Sequence, residues 1–313
     1  MDVILITTKA LLPLFIFMMM GLLFRRANLL GEDTTRQLTI LVYRFFLSVM
    51  CAETIYKANL KEDVERIPLL IVALGIIVSF LLAWLIVPRF IKDRKQIPVV
   101  IQGIYKANYA ILGIPIAQSI CGTDNLGVIP VIAVILVPLN NALSAFIFEK
   151  YTGMATSKGK LVLNIIKNPL VLSSIIGIAL NLSGIVIPTW IMTGIVSKIS
   201  NLTTPLSMIA LGASFRFSQI RQYRKTLIWT SLGKLVFIPA LIIPVALLLG
   251  IRGTGIVGIT IFAAAPNAVN SYSTAAALGG DVDLATEIVV LTSLMSIITM
   301  FGWLVLVGLT AGF

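Results

Sequence analysis

The chain has 313 residues, 58% of them hydrophobic and 12% charged, with a mean hydropathy of +1.02 and a net charge of +11. A soluble globular domain carries roughly 25% charged residues, so this composition points to an all-α integral membrane protein. The absence of His and the presence of only Cys51 and Cys121 exclude His-based metal sites, imidazole bases and a thiolate zinc site, leaving no cofactor to expect.

A bilayer core of about 30 Å needs roughly 20 apolar residues per helix. Ten runs of that kind follow one another: Val3 to Phe24, Thr35 to Tyr56, Pro68 to Phe90, Val99 to Cys121, Leu126 to Phe148, Pro169 to Ile187, Thr193 to Phe215, Thr226 to Leu249, Thr254 to Leu278 and Leu284 to Ala311. The first run is read as a retained span, because Asp2 stands where a signal peptide has a basic region and Arg25-Arg26 stand in place of a small-residue cleavage site. With ten spans both termini lie on one side. One set of connections holds 15 Lys and Arg, the other 5, so the positive-inside rule predicts that both termini are extracytoplasmic in the plasma membrane. Because the excess charge is mostly a topology signal, no nucleic-acid partner is expected.

The connection at 151–168 divides the spans five and five, into halves 1–150 and 169–313. Five is odd, so two homologous halves would insert as inverted repeats, the arithmetic of many secondary transporters. Within the halves, the fourth spans carry the strongest signals for interruption. Span four has Asn108 and Tyr109 followed by Gly113 and Pro115; span nine has Pro266, Asn267, Asn270 and Ser271. Matched breaks in the two halves mark a transporter site, although a proline kink without function is the plain alternative for any one of them.

Four basic residues fall within or near the runs: Lys9, Arg44, Lys106 and Lys234. A charge there needs a partner, water or an interface within reach. Lys9 is close enough to an end to snorkel. Lys106 precedes the break in span four, and Lys234 lies in span eight. Both are candidate ligands for an anion, the alternative being internal pairing, for example of Lys234 with Glu287. Without His, only Lys or a carboxylate could serve a Ser or Thr nucleophile as its base, and an enzyme is not expected.

Asn108 with Gly113-Ile-Pro115, the Pro205 to Ser214 segment with Gly212-Ala-Ser, Lys234-Leu with Pro239, Pro266-Asn267-Ala-Val-Asn270 and the Leu291 to Thr299 run occur in an order that resembles the auxin efflux carrier family, bacterial branch, within the bile-acid, arsenite and riboflavin transporter superfamily. The resemblance covers nearly the whole chain. It implies crossed, broken helices four and nine, a scaffold domain of helices 1, 2, 6 and 7 that forms a homodimer, and a transport domain of helices 3–5 and 8–10. It further implies a small organic anion as substrate, a carboxylate such as malate, malonate or an auxin-like acid, moved by alternating access. A passive anion channel is the alternative. The substrate-binding residues expected from the breaks, the cations and this resemblance are Lys106, Asn108, Tyr109, Pro115, Lys234, Pro266, Asn267, Asn270 and Ser271. One departure is that span two reads Phe46-Leu-Ser48-Val-Met-Cys-Ala52, without the proline the family commonly has there.

Overall fold

The computed structural model describes residues 2–57, 66–109, 116–117, 120–121, 128–153, 163–164, 166–215 and 217–311. Pro115 and Gly113 lie outside the described residues. The described residues are helical through most of the apolar runs. The helices are α1 (Asp2–Arg26), α2 (Glu32–Leu41), α3 (Leu47–Tyr56), α4 (Arg66–Phe90), α5 (Gln96–Tyr105), α6 (Ile129–Thr152), α7 (Pro169–Ser183), α8 (Thr189–Ile191), α9 (Ser197–Ser214), α10 (Phe217–Leu232), α11 (Ile238–Leu248), α12 (Gly253–Ala264), α13 (Asn270–Ala277) and α14 (Val282–Ala311). Among the described residues, five continuous stretches are long and apolar enough to cross a membrane: Glu32–Tyr56, Arg66–Phe90, Val131–Thr152, Gln222–Leu248 and Val282–Ala311. This is a helical, multi-pass membrane protein. Helix is the dictated form, because lipid offers no partner to a free N–H or C=O.

Local chemistry fixes the helix ends. Asn168 caps α7 by accepting from the Leu170 N–H at 3.0 Å, with Pro169 at the first helical position, where its missing N–H costs nothing. The same side chain donates to the Tyr43 hydroxyl at 2.8 Å, tying the start of α7 to the second span. At the other end Gly184 takes φ 69°, the left-handed conformation that closes a helix.

Among the described residues, three π turns interrupt helices without a break: Val42–Phe46 between α2 and α3, Met192–Val196 between α8 and α9, and Gly233–Phe237 between α10 and α11. A π turn inserts a residue and releases carbonyls from the regular ladder. Side chains from neighbouring spans reach carbonyls at two of them: Thr203 Oγ1 donates to Phe46 O at 3.0 Å, and Trp303 Nε1 to Leu235 O at 3.0 Å. Span two, which lacks the proline common in the resembling family, is thus irregular by another means, just before the expected position.

Two close helix pairs frame the bundle. Helix α1 packs along α9, and α3 along α7. Both rely on glycine. A Cβ on Gly212 would overlap the Met18 carbonyl oxygen, and one on Gly21 would overlap that of Ile209; at Gly177 it would stand 2.9 Å from Ala52 O. Small residues permit this approach, and packing between backbones is what holds helices together where lipid removes the hydrophobic drive.

The obstacle at Gly212 is backbone, so it cannot swing aside. Gly212→Ala is expected to cost about 1–3 kcal/mol or more and to lower the thermal midpoint of the detergent-purified protein. Gly302→Ala, with open space around it, is expected to leave that midpoint unchanged. Equal midpoints for the two variants would contradict the packing described for α1 and α9.

Candidate functional site

The two interrupted spans meet at their interruptions. Helix α5 ends at Tyr105, and Lys106 is already extended, with φ −79° and ψ 126°. Helix α12 ends at Ala264, because the ring of Pro266 disfavours helical geometry at Ala265, which takes φ −61° and ψ 145°. The freed strands lie antiparallel: Ala107 and Asn267 form an isolated bridge, and Asn108 N–H donates to Pro266 O at 2.9 Å. Asn267 N–H is taken by Thr292 Oγ1 of α14 at 3.2 Å. The interruption at Pro266 therefore does not leave these backbone groups free for a ligand. Pro266 O and the N–H groups of Asn108 and Asn267 satisfy one another or a neighbouring hydroxyl, so it is the side chains that remain available.

Those side chains open onto a cavity of ≈ 60 Å³ beside the junction. Its wall is Leu47, Met50, Cys51 and Thr54 from α3; Lys106, Ala107, Asn108 and Tyr109 from the end of α5 onward; Ala133, Leu136, Val137, Asn140 and Asn141 from α6; Thr203, Thr204 and Ser207 from α9; and Ala268, Val269 and Asn270 at the start of α13. Lys106 supplies the cation. No carboxylate is among these residues. Asn108 Nδ2, Asn140 Oδ1, Ser207 Oγ and Asn270 Oδ1 are buried without a hydrogen-bond partner among the described residues. Each such group costs about 1–3 kcal/mol when left unsatisfied, which a packed core avoids and a binding site tolerates.

Around the cavity, other polar groups are fully used and hold the wall in place. With the Gln102 amide oriented to satisfy its neighbours, its oxygen accepts from Lys106 Nζ at 3.2 Å and from Ser144 Oγ at 2.9 Å, and its nitrogen donates to Ser271 O at 3.3 Å. One side chain thus links α5, α6 and α13 and aims the ammonium group. Tyr105 OH bonds with Ser144 Oγ at 2.8 Å. Tyr109 OH donates to Ile129 O at 2.9 Å, and Ser271 Oγ to Asn267 Oδ1 at 2.8 Å. Asn141 Nδ2 reaches Ser174 Oγ at 3.1 Å and Leu170 O at 3.3 Å, so its amide joins α6 to α7, while the neighbouring Asn140 is the freer of the two.

Of the residues expected from the sequence, Lys106, Asn108, Tyr109 and Asn270 line the cavity. Pro266 and Asn267 belong to the junction and Ser271 to α13, where it donates to Asn267; these three are not among the lining residues. Lys234 stands apart, in the π turn of span eight, fully buried, with Nζ 5.8 Å from the Phe262 ring centroid and no hydrogen-bond partner among the described residues. The alternative pairing of Lys234 with Glu287 is not formed. Glu53, by contrast, is engaged by Lys57 Nζ at 2.6 Å and by Ser197 Oγ. Asn140, Ser207 and Gln102 are absent from the sequence expectation. The Asn140-Asn141 pair within an otherwise apolar run, two residues after Pro138, is the signal that marks it.

A family model described as membrane transport protein matches residues 6–304. An uncharacterized transporter of Methanothermobacter thermautotrophicus is 22% identical over 311 residues, covering 95% of this chain and 97% of the relative. A helical multi-pass chain with two interrupted spans joined beside a polar cavity agrees with that match, and the chain belongs to this family of membrane transport proteins, the auxin efflux carriers.

Proposed function

We propose that the protein is a secondary transporter of a small organic anion, such as malate, malonate or an auxin-like acid, which binds in the cavity beside the junction of spans four and nine. The observation that carries this reading is the cavity's chemistry: among the described lining residues there is one ammonium, amides with unpartnered atoms and no carboxylate. A carboxylate brings two oxygens that accept from donors such as Lys106 Nζ and Asn108 Nδ2, and charge-assisted hydrogen bonds of this kind are the stronger ones. Asn140, Asn270 and Ser207 would meet the remaining polar atoms. Lys234 would add positive potential from beyond α12 without touching the ligand.

Movement follows the alternating-access scheme. The reading is of ten spans in two inverted five-helix repeats, with spans 1, 2, 6 and 7 as a scaffold that dimerises and spans 3–5 and 8–10 as the moving unit. Corresponding features support it. Interruptions lie in spans four and nine, π turns in spans two and seven, and the α1–α9 and α3–α7 packings would exchange under such a repeat. The cavity wall is drawn from both proposed units, with α3 and α9 on one side and α5, α6 and α13 on the other. Relative motion would then carry a ligand held by the second group past the first. Orientation with both termini outside the plasma membrane belongs to the same reading.

Proteoliposomes containing the purified protein are expected to take up at least one mono- or dicarboxylate with saturation and counterflow. Linear flux without counterflow would indicate a passive pore, and no anion uptake across a panel would sink the proposal. Loss of one charge-assisted bond is worth about 1.5–3 kcal/mol, so Asn108→Ala and Lys106→Ala should each weaken anion affinity about 10- to 100-fold. Lys234→Met should weaken it less than Lys106→Ala does. Unchanged affinity in Lys106→Ala would remove that residue from the site.

A further inference from the structure

A second, larger cavity of ≈ 280 Å³ lies between α1, α9, α10 and α14. Its wall is almost wholly apolar, including Phe15, Leu22, Phe215 and Leu227, and among the described residues Glu287 is its one ionisable side chain. That residue is only 3% exposed, so it offers little of its carboxyl to an occupant. Met19 and Leu294 belong to the wall and are 50% and 48% exposed on the outer surface of the bundle, which opens the cavity sideways toward surrounding hydrocarbon.

One helical turn beyond the lining residues Leu22, Leu227 and Glu287 stand Arg26, Arg224 and Asp283. Arg26 follows Leu22 by four residues on α1 and so shares its face, and Arg224 precedes Leu227 by three on α10. Both arginines are exposed, and among the described residues neither is held in an ion pair. Arg25, the neighbouring residue, is already engaged with Ala213 O at 3.3 Å and Glu32 at 3.0 Å. Apolar volume reached from the bilayer, with two exposed arginines one helical turn beyond its wall, has the chemistry of a two-part amphiphile. Basic pockets between spanning helices bind anionic lipid headgroups, and a guanidinium matches phosphate oxygens in pairs.

The geometry points to a binding site for an anionic phospholipid of the surrounding membrane, one acyl chain filling the cavity between α1, α9, α10 and α14 and the phosphate held by Arg26 and Arg224. The site is separate from the polar cavity and does not rest on the identity of the transported anion. Because its walls come from α1 and α9 on one side and α10 and α14 on the other, a lipid there would link spans one and seven to spans eight and ten.

Native mass spectrometry of the full-length, delipidated protein, titrated with phosphatidylglycerol or phosphatidylcholine, tests this. The expected result is a preference of about tenfold for phosphatidylglycerol, since each surface arginine near an anionic headgroup contributes on this scale. The double variant Arg26→Gln, Arg224→Gln should bring phosphatidylglycerol down to the phosphatidylcholine level. Both changes are on the surface, so folding is not at stake. Leu294→Trp, which narrows the mouth, should weaken both lipids. Equal binding of the two lipids by the unaltered protein, a preference that survives the double variant, or a face covered by a second copy of the chain instead of lipid would overturn the proposal.

Discussion

Unpaired backbone inside an apolar helical bundle is the constraint on which this structure depends. Two apolar spans give up their helical ladders inside the bundle, where each free N–H or C=O costs several kcal/mol. The chain meets that cost by bringing the two gaps together: Ala107 pairs with Asn267, Asn108 N–H with Pro266 O, and Asn267 N–H with Thr292. Each interruption supplies what the other lacks. Either alone would be a defect, and together they make a short two-stranded junction from which side chains can project.

The junction explains the polarity of its surroundings. Helix α5 stops at Tyr105, so the next side chains, Lys106 and Asn108, are carried on extended backbone and face a cavity instead of the next helical turn. Gln102 and Ser144 then fix the ammonium group, and Asn141 anchors α6 to α7, which leaves Asn140, Asn108 and Asn270 as the amides with capacity to spare. Satisfied amides hold the wall together, and the unsatisfied ones keep capacity for a further partner.

Much of this was legible in the chain itself. Apolar run lengths placed the helices, and Pro266 placed the end of α12 within two residues, because proline acts on its immediate neighbours. The Lys106 and Asn108 positions followed from their closeness to an interruption. Other features depend on contacts that sequence order does not display. The π turns at Val42–Phe46 and Gly233–Phe237 contain ordinary helix formers, and partners such as Thr203 and Trp303 are distant in the chain. Asn140 and Ser207 look like isolated polar residues until α6 and α9 are packed. Gly212 carries no sequence sign that a carbonyl of α1 will rest against it.

The central claim is that the side chains left unpaired beside the junction hold an organic anion. Determining the structure of the protein with a bound carboxylate tests it most directly. The account predicts carboxylate oxygens about 3 Å from Lys106 Nζ and Asn108 Nδ2, with the junction backbone still paired. An anion bound elsewhere, or one held by the backbone of an opened junction, would contradict it.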